Sequence, residues 1–346
     1  MVKNKILICL FALTALLAAA PVRAQSGADA ASFYKGRTVS LYIGFAVGGG
    51  YDVYARLLAR HIANHIPGHP TVVPMQMEGA GSLKLANWLY NVAPKDGLVF
   101  GTISRGIPFE PLIGNRETAR FEAKSFGWIG SANNEVSTCV TWERTGISRF
   151  EELYRTPLIV GGTGGSADSD QFPKIINGVL GTKFKLVSGY PGGNDIEFAM
   201  ERGEVDGRCG YSWTTLISTR KAWYESGTVK VLVQLALAKH KDLPNVPLIM
   251  DLAKTQEQQD ILRLIFVRAA LGRPFLAPPG IPVDRLEILR HAFNETMKDP
   301  KFLAEAKKAR LEINPVTGQN VKKLVEDVYA SPQQTVMRTR AILGFK

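Results

Sequence analysis

Two glycine-rich turns carry the chemistry most open to inference in this chain. Gly48-Gly49-Gly50 ends an apolar, β-branched run and feeds a helix, and Thr163-Gly164-Gly165-Ser166 does the same further along. A strand that stops at glycines and runs into a helix leaves backbone N–H groups free at the helix start, where the macrodipole also favours negative charge. Each turn is therefore a candidate anion site built from main-chain donors, with no Lys or Arg needed in contact. If the two turns face each other across a cleft, they can clamp one anion between them.

Other chemistries find less support. Gly50 is followed by Tyr51-Asp52-Val53, so a G-x-G-x-x-G dinucleotide fingerprint fails, and no Walker lysine follows. The sequence contains no G-x-S-x-G elbow and no H-E-x-x-H pair, and no histidine sits beside an obvious nucleophile. His61 and His65 lie four apart on an expected helix, yet that helix offers no further ligand at a supporting spacing, so no metal is expected. No cofactor is expected either. An exported enzyme using Asp52, Asp206 or the histidine pair is one rival reading, though Asp52 reads more simply as a helix cap, and a ligand sensor using the same cleft is another. Trp213 is a candidate for the cleft wall or for the core.

The elements that position these turns follow from apolar periodicity. Thr38–Val47 reads as a buried strand, and Val53, Leu57, Leu58, Ile62 and Ile66 mark one helix face closed by Pro67-Gly68. A strand at Thr71–Met75, a helix through Leu83–Tyr90 and a strand at Leu98–Ile103 complete a β-α-β-α-β alternation, the grammar of an α/β unit with a largely parallel sheet. The pattern restarts after Phe126, with strands at Trp128–Ser131, Val136–Trp142, Leu158–Gly162 and Lys183–Ser188. The last 60 or so residues read as amphipathic helices without a sheet of their own, returning to cover the first unit. The expected organisation is residues 25–125 for the first part of lobe 1, 126–244 for lobe 2, and 245–346 for the crossover and C-terminal helices, with two crossings between lobes.

Composition agrees with a compact protein of this size. The chain has 346 residues, 45% hydrophobic and 21% charged, which suits two ordinary domains and excludes disorder, collagen and coiled coil. Lys3, Lys5, the apolar run Ile6–Ala20 and the small residues Val22 and Ala24 read as a secretory signal peptide, residues 1–24, cleaved after Ala24. The run falls short of the roughly 20 residues that a spanning helix needs. Cleavage removes three basic residues and no acid, lowering the formal charge from +11 to +8. An exported basic chain without Lys/Arg runs interleaved with aromatics points to an anionic small ligand or an acidic membrane partner rather than nucleic acid. Cys139 and Cys209 remain after export. One bridge is the economical reading and two buried thiols the alternative, since spacing does not fix the Cα separation.

At this point the residues carry a resemblance. Gly44-Phe45-Ala46-Val47-Gly48-Gly49-Gly50-Tyr51-Asp52 with Ala55-Arg56 resembles the P-F-x-P-G-G-x-x-D-x-x-A-R signature of the Bug-type periplasmic receptors of tripartite tricarboxylate transporters. Glu78-Gly79-Ala80-Gly81, Ala93-Pro94-Lys95-Asp96-Gly97, Gly203-Glu204-Val205-Asp206 and Ala277-Pro278-Pro279-Gly280-Ile281-Pro282 resemble further motifs of that family in the same order. The resemblance implies a two-lobed Venus-flytrap fold of the type II-like periplasmic binding protein class. It implies a monomeric receptor that closes on a small organic anion and delivers it to integral membrane transporter subunits. In such receptors a ligand carboxylate is held by backbone amides and waters, which carries over to Gly48, Gly49, Gly50 and Tyr51, and to Gly79, Ala80 and Gly81. Thr163, Gly164, Gly165 and Ser166 follow from the second lobe, with Tyr190 and Gly192 near the mouth. Val47, Tyr51 and Glu78 depart from the signature, and a phenol at 51 either narrows the cleft or packs outward.

Overall fold

The computed structural model describes residues 27–345, and the signal-peptide segment lies outside the described residues. Eleven strands are described: β1 (Thr38–Ile43), β2 (Thr71–Gln76), β3 (Val99–Thr102), β4 (Gly127–Ser131), β5 (Ser137–Trp142), β6 (Leu158–Gly162), β7 (Phe184–Ser188), β8 (Gly207–Ser212), β9 (Val229–Leu235), β10 (Pro274–Ala277) and β11 (Val316–Thr317). They form two sheets, ordered β11-β4-β10-β3-β1-β2 and β7-β6-β8-β5-β9. In the first, β1 pairs in parallel with β2 and β3, and β10 runs antiparallel beside β3. The second repeats this arrangement, with β6 parallel to β7 and β8 and β5 antiparallel beside β8. Both sheets are thus mixed; only the strands flanking β1 and β6 have the parallel order that the alternation implies.

The reversal of strand order at β1 and again at β6 positions the site. Helices leaving neighbouring strands there turn to opposite sides, opening a crevice at the strands' carboxyl ends. The helix Gly50–Ile62 follows β1 and buries Tyr54, Leu57, Leu58 and Ile62 against Val39, Leu41 and Ile43. The helix Asp168–Leu180 follows β6, and Phe172, Ile175 and Ile176 on it pack with Val160. Cys139 of β5 and Cys209 of β8 are joined by a disulfide (S–S 1.97 Å) inside the second sheet.

Two expectations about organisation are corrected. Gly127–Ser131, read as opening the second unit, pairs with β10 and β11 and so belongs to the first sheet; the chain crosses after Ser131. Strand propensity identifies a strand but carries no information on its sheet. The C-terminal helices also divide. Val283–Thr296 and Gly318–Tyr329 cover the first sheet, but Gln333–Leu343 packs on the helices Asp168–Leu180 and Gln256–Phe266. Residues 330–332 are therefore a third crossing. Among the described residues no helix is long and apolar enough to cross a membrane.

Candidate functional site

Three helix starts converge between the lobes. The first intrahelical bond of Gly50–Ile62 runs from Val53 N–H to the Gly49 carbonyl, so the amides of Gly50, Tyr51 and Asp52 lie ahead of the ladder. The amides of Asp168 and Ser169 do so in the second lobe, and those of Gly193 and Asn194 begin the helix Gly193–Glu201. All three starts line one small cavity of about 50 Å³, which also touches Phe45, Ser104 and Thr163.

The cavity is not a purely main-chain cradle. Arg105, Arg208 and Arg273 also line it, which sequence reasoning did not foresee. Arg105, from the loop after β3, pairs with Asp168 of the second lobe and donates to the Ser137 hydroxyl. Arg268 holds the other Asp168 oxygen at 3.1 Å. Arg208 lies 3.2 Å from Glu197, which also meets Arg220, and Arg273 lies 2.8 Å from Glu135. These ion-paired groups comprise five guanidiniums and three carboxylates, an excess of two positive charges in a largely buried setting. Burial is the largest influence on Arg105 and works against its charge, but the Asp168 carboxylate together with Tyr51 and Glu135 outweighs it and holds the guanidinium's pKa above its ordinary value. Arg268 has the opposite balance, burial lowering its pKa despite Asp168. Several nitrogens facing this region, including Arg105 Nη1, Arg208 Nε and Arg273 Nε, are buried without a hydrogen-bond partner. Such donors are costly unless an acceptor arrives.

Of the residues singled out from the sequence, Gly49, Gly50, Tyr51 and Thr163 line the cavity. Tyr51 points inward. Its ring stacks on Phe45 at 4.6 Å, its hydroxyl accepts the Arg105 backbone N–H at 3.1 Å, and the Arg273 guanidinium lies 4.8 Å from its centroid. Three amides expected to be open are taken by side chains. Gly48 N–H donates to Asp52 (2.9 Å), Thr163 N–H to the Ser169 hydroxyl (3.0 Å) and Gly164 N–H to Asp170 (2.9 Å). Asp52 is thus not the N-cap, which is Gly49; it reaches back from the first turn and also holds Arg56 and Gln76. Gly79, Ala80 and Gly81 lie outside the cavity, but Gly164 is so close to Ala80 and Gly81 that a Cβ there would lie 2.8 Å from the Gly81 nitrogen. These turns are where the lobes meet. Gly165 and Ser166 adjoin that contact without lining the cavity, and Gly192 caps the third helix. Tyr190 turns to Glu204 (3.4 Å).

The remaining candidates serve the scaffold. His61 and His65 meet Glu305 (2.7 Å) and Asp299 (3.0 Å) on the neighbouring helical segment, Asp206 pairs with Arg144, and Trp213 is buried against Tyr224. The missed arginines lie in Ser104-Arg105-Gly106, Gly207-Arg208-Cys209 and Gly272-Arg273-Pro274, each a lone cation within or beside an apolar strand. That was the available signal.

No family model and no curated protein matches the sequence. Solved structures do match. The periplasmic binding protein BugD is 20% identical, with 89% of this chain and 98% of that chain covered and a TM-score of 0.71. An R. palustris protein determined with adipate is 17% identical over 88% of this chain and 97% of that one, with a TM-score of 0.68. MatC from Rhodopseudomonas palustris, with bound malate, is 18% identical over 89% and 99%, with a TM-score of 0.67. The fold is that of the two-lobed periplasmic solute-binding proteins. The helix starts after β1 and β6 and the three arginines line the same cavity.

Proposed function

We propose that the protein is a non-enzymatic periplasmic receptor of the tripartite tricarboxylate transporter type. It captures a small organic anion of the carboxylate class between its lobes and hands it to integral membrane subunits. The observation that carries the reading is the convergence of three helix starts with Arg105, Arg208 and Arg273 around one interlobe cavity, with positive charge in excess. Helix N-termini and guanidiniums both favour carboxylate, the latter with bidentate geometry. The adipate and malate in the similar structures are consistent with that class of ligand. Export with cleavage after Ala24 belongs to the same proposal, and N-terminal mass mapping of periplasmic material checks it.

Calorimetry against mono-, di- and tricarboxylates and neutral analogues tests the ligand class. At least one carboxylate should bind while its neutral amide or ester analogue binds at least about tenfold more weakly, about 1.4 kcal/mol. Binding of neutral compounds alone would refute the reading.

A further inference from the structure

We propose that Tyr51 is a positioning residue of the anion site, fixing the plane of the Arg273 guanidinium and the backbone that carries Arg105. The inference rests on the reading of the cavity as an anion site, and it gives a role to the phenol that departs from the signature the sequence resembles. Tyr51 and Tyr54 lie three apart in the first turns of the helix Gly50–Ile62, so their side chains project to one side of it. Arg273, immediately before β10, lies over both rings, its guanidinium carbon 4.8 Å from the Tyr51 centroid and 4.9 Å from that of Tyr54. Phe45 stacks on the Tyr51 ring at 4.6 Å with 11° between the planes, and the Tyr51 hydroxyl accepts the Arg105 backbone N–H at 3.1 Å. The phenol thus ties the segments of Arg105 and Arg273 to the turn after β1, and its ring and hydroxyl are already engaged.

A guanidinium hydrogen-bonds in its plane, while its faces are weakly hydrated and stack well on aromatic rings. Arg273 is oriented in both ways. At its edges Nη1 donates to the Gly272 carbonyl and Nη2 to the Thr215 hydroxyl, both at 3.0 Å, and Nη2 lies 2.8 Å from Glu135. The two phenol rings then hold the plane. Nε remains buried without a hydrogen-bond partner. With the plane held and both Nη groups engaged, Nε–H is left for a single ligand oxygen, and its direction is set before that oxygen arrives. An aliphatic side chain at 51 would fill space without offering a ring face, which separates this role from packing alone.

Side-chain NMR of the full chain without added ligand, with calorimetry using succinate and citrate on the same samples, tests the role. The Arg273 Nε–H proton, identified by its loss in Arg273→Lys, should resonate upfield of the ordinary arginine position in wild type, because ring faces shield it. Tyr51→Leu should move it downfield and weaken whichever probe wild type binds by at least about tenfold. Tyr51→Phe should keep the resonance upfield and lose no more than about threefold. In an Arg273→Met background, adding Tyr51→Leu should cost less than about threefold, because the residue it positions is gone. An unshielded Nε–H in wild type overturns the assignment, and that result needs no variant at position 51 to fold. A resonance indifferent to Tyr51→Leu, undiminished binding by that variant, or a tenfold loss that persists in the Arg273→Met background overturns it as well. If the resonance behaves as described while no carboxylate binds wild type, the positioning role stands and the receptor reading fails.

Discussion

Two glycines that look alike in the sequence make different demands. Gly164 has φ +139, a conformation that side chains rarely adopt, and an added Cβ would meet the backbone of Ala80 and Gly81 across the cleft. Gly164→Val should therefore wedge the lobes apart, weakening carboxylate binding at least tenfold, about 1.4 kcal/mol, by calorimetry. Gly49 has φ −75, and its nearest neighbour to an added Cβ is the Ala46 carbonyl at 3.5 Å. The strained dihedral that its place in a glycine run suggests is absent, so Gly49→Ala should bind within about threefold of wild type. The run itself was visible in the sequence. Which glycine required its missing side chain depended on the opposite lobe, 80 or more residues away in the chain, and no local pattern records that.

Single elements show the same division. The turns after β1 and β6 were legible because strand, glycine and helix are contiguous in sequence. The arginines come from three separate strands or strand ends, and only the folded sheets bring them together. The disulfide is an intermediate case: two exported cysteines suggested it, and the antiparallel pairing of β5 and β8 supplies the approach. It closes a loop with a sequence separation of 70, so replacing both cysteines with serine should cost roughly 4 kcal/mol on the chain-entropy estimate, readable by denaturant unfolding.

A further contact between the lobes carries a titratable histidine. Glu312 accepts from Thr214 at 3.2 Å and meets His240 Nε2 at 3.1 Å, while Asp242, Lys241 and the Trp213 ring also face the imidazole. The Glu312 hydrogen bond raises the His240 pKa despite partial burial. A raised histidine contributes stability that is complete below its ordinary value of 6.5 and lost as pH climbs through the raised value. Between about pH 6 and about pH 8 the melting temperature of wild type should thus fall more than that of His240→Gln. Parallel melting curves would dismiss the contact as a contributor.

At the scale of the molecule, the two sheets are coupled by more than their connecting chain. One apolar cluster runs from Leu85 and Trp128 beside the first sheet to Val160 and Phe172 in the second, and Val336 and Leu343 of the last helix belong to it. Any parting of the lobes that spares this core would have to turn about it. Ending the chain at Pro332 would remove Val336 and Leu343 from that core, and the melting temperature should drop by several degrees, as for the loss of one or more buried side chains.

The final helix also bears on where this protein could be divided. A gene fragment covering only the second sheet would leave the flank of Asp168–Leu180 at Gly178, which meets Ile342, without that neighbour, while its apolar face stays packed on the sheet. Each lobe thus keeps part of its packing in chain that belongs to the other, and a second-lobe fragment should melt below the full chain.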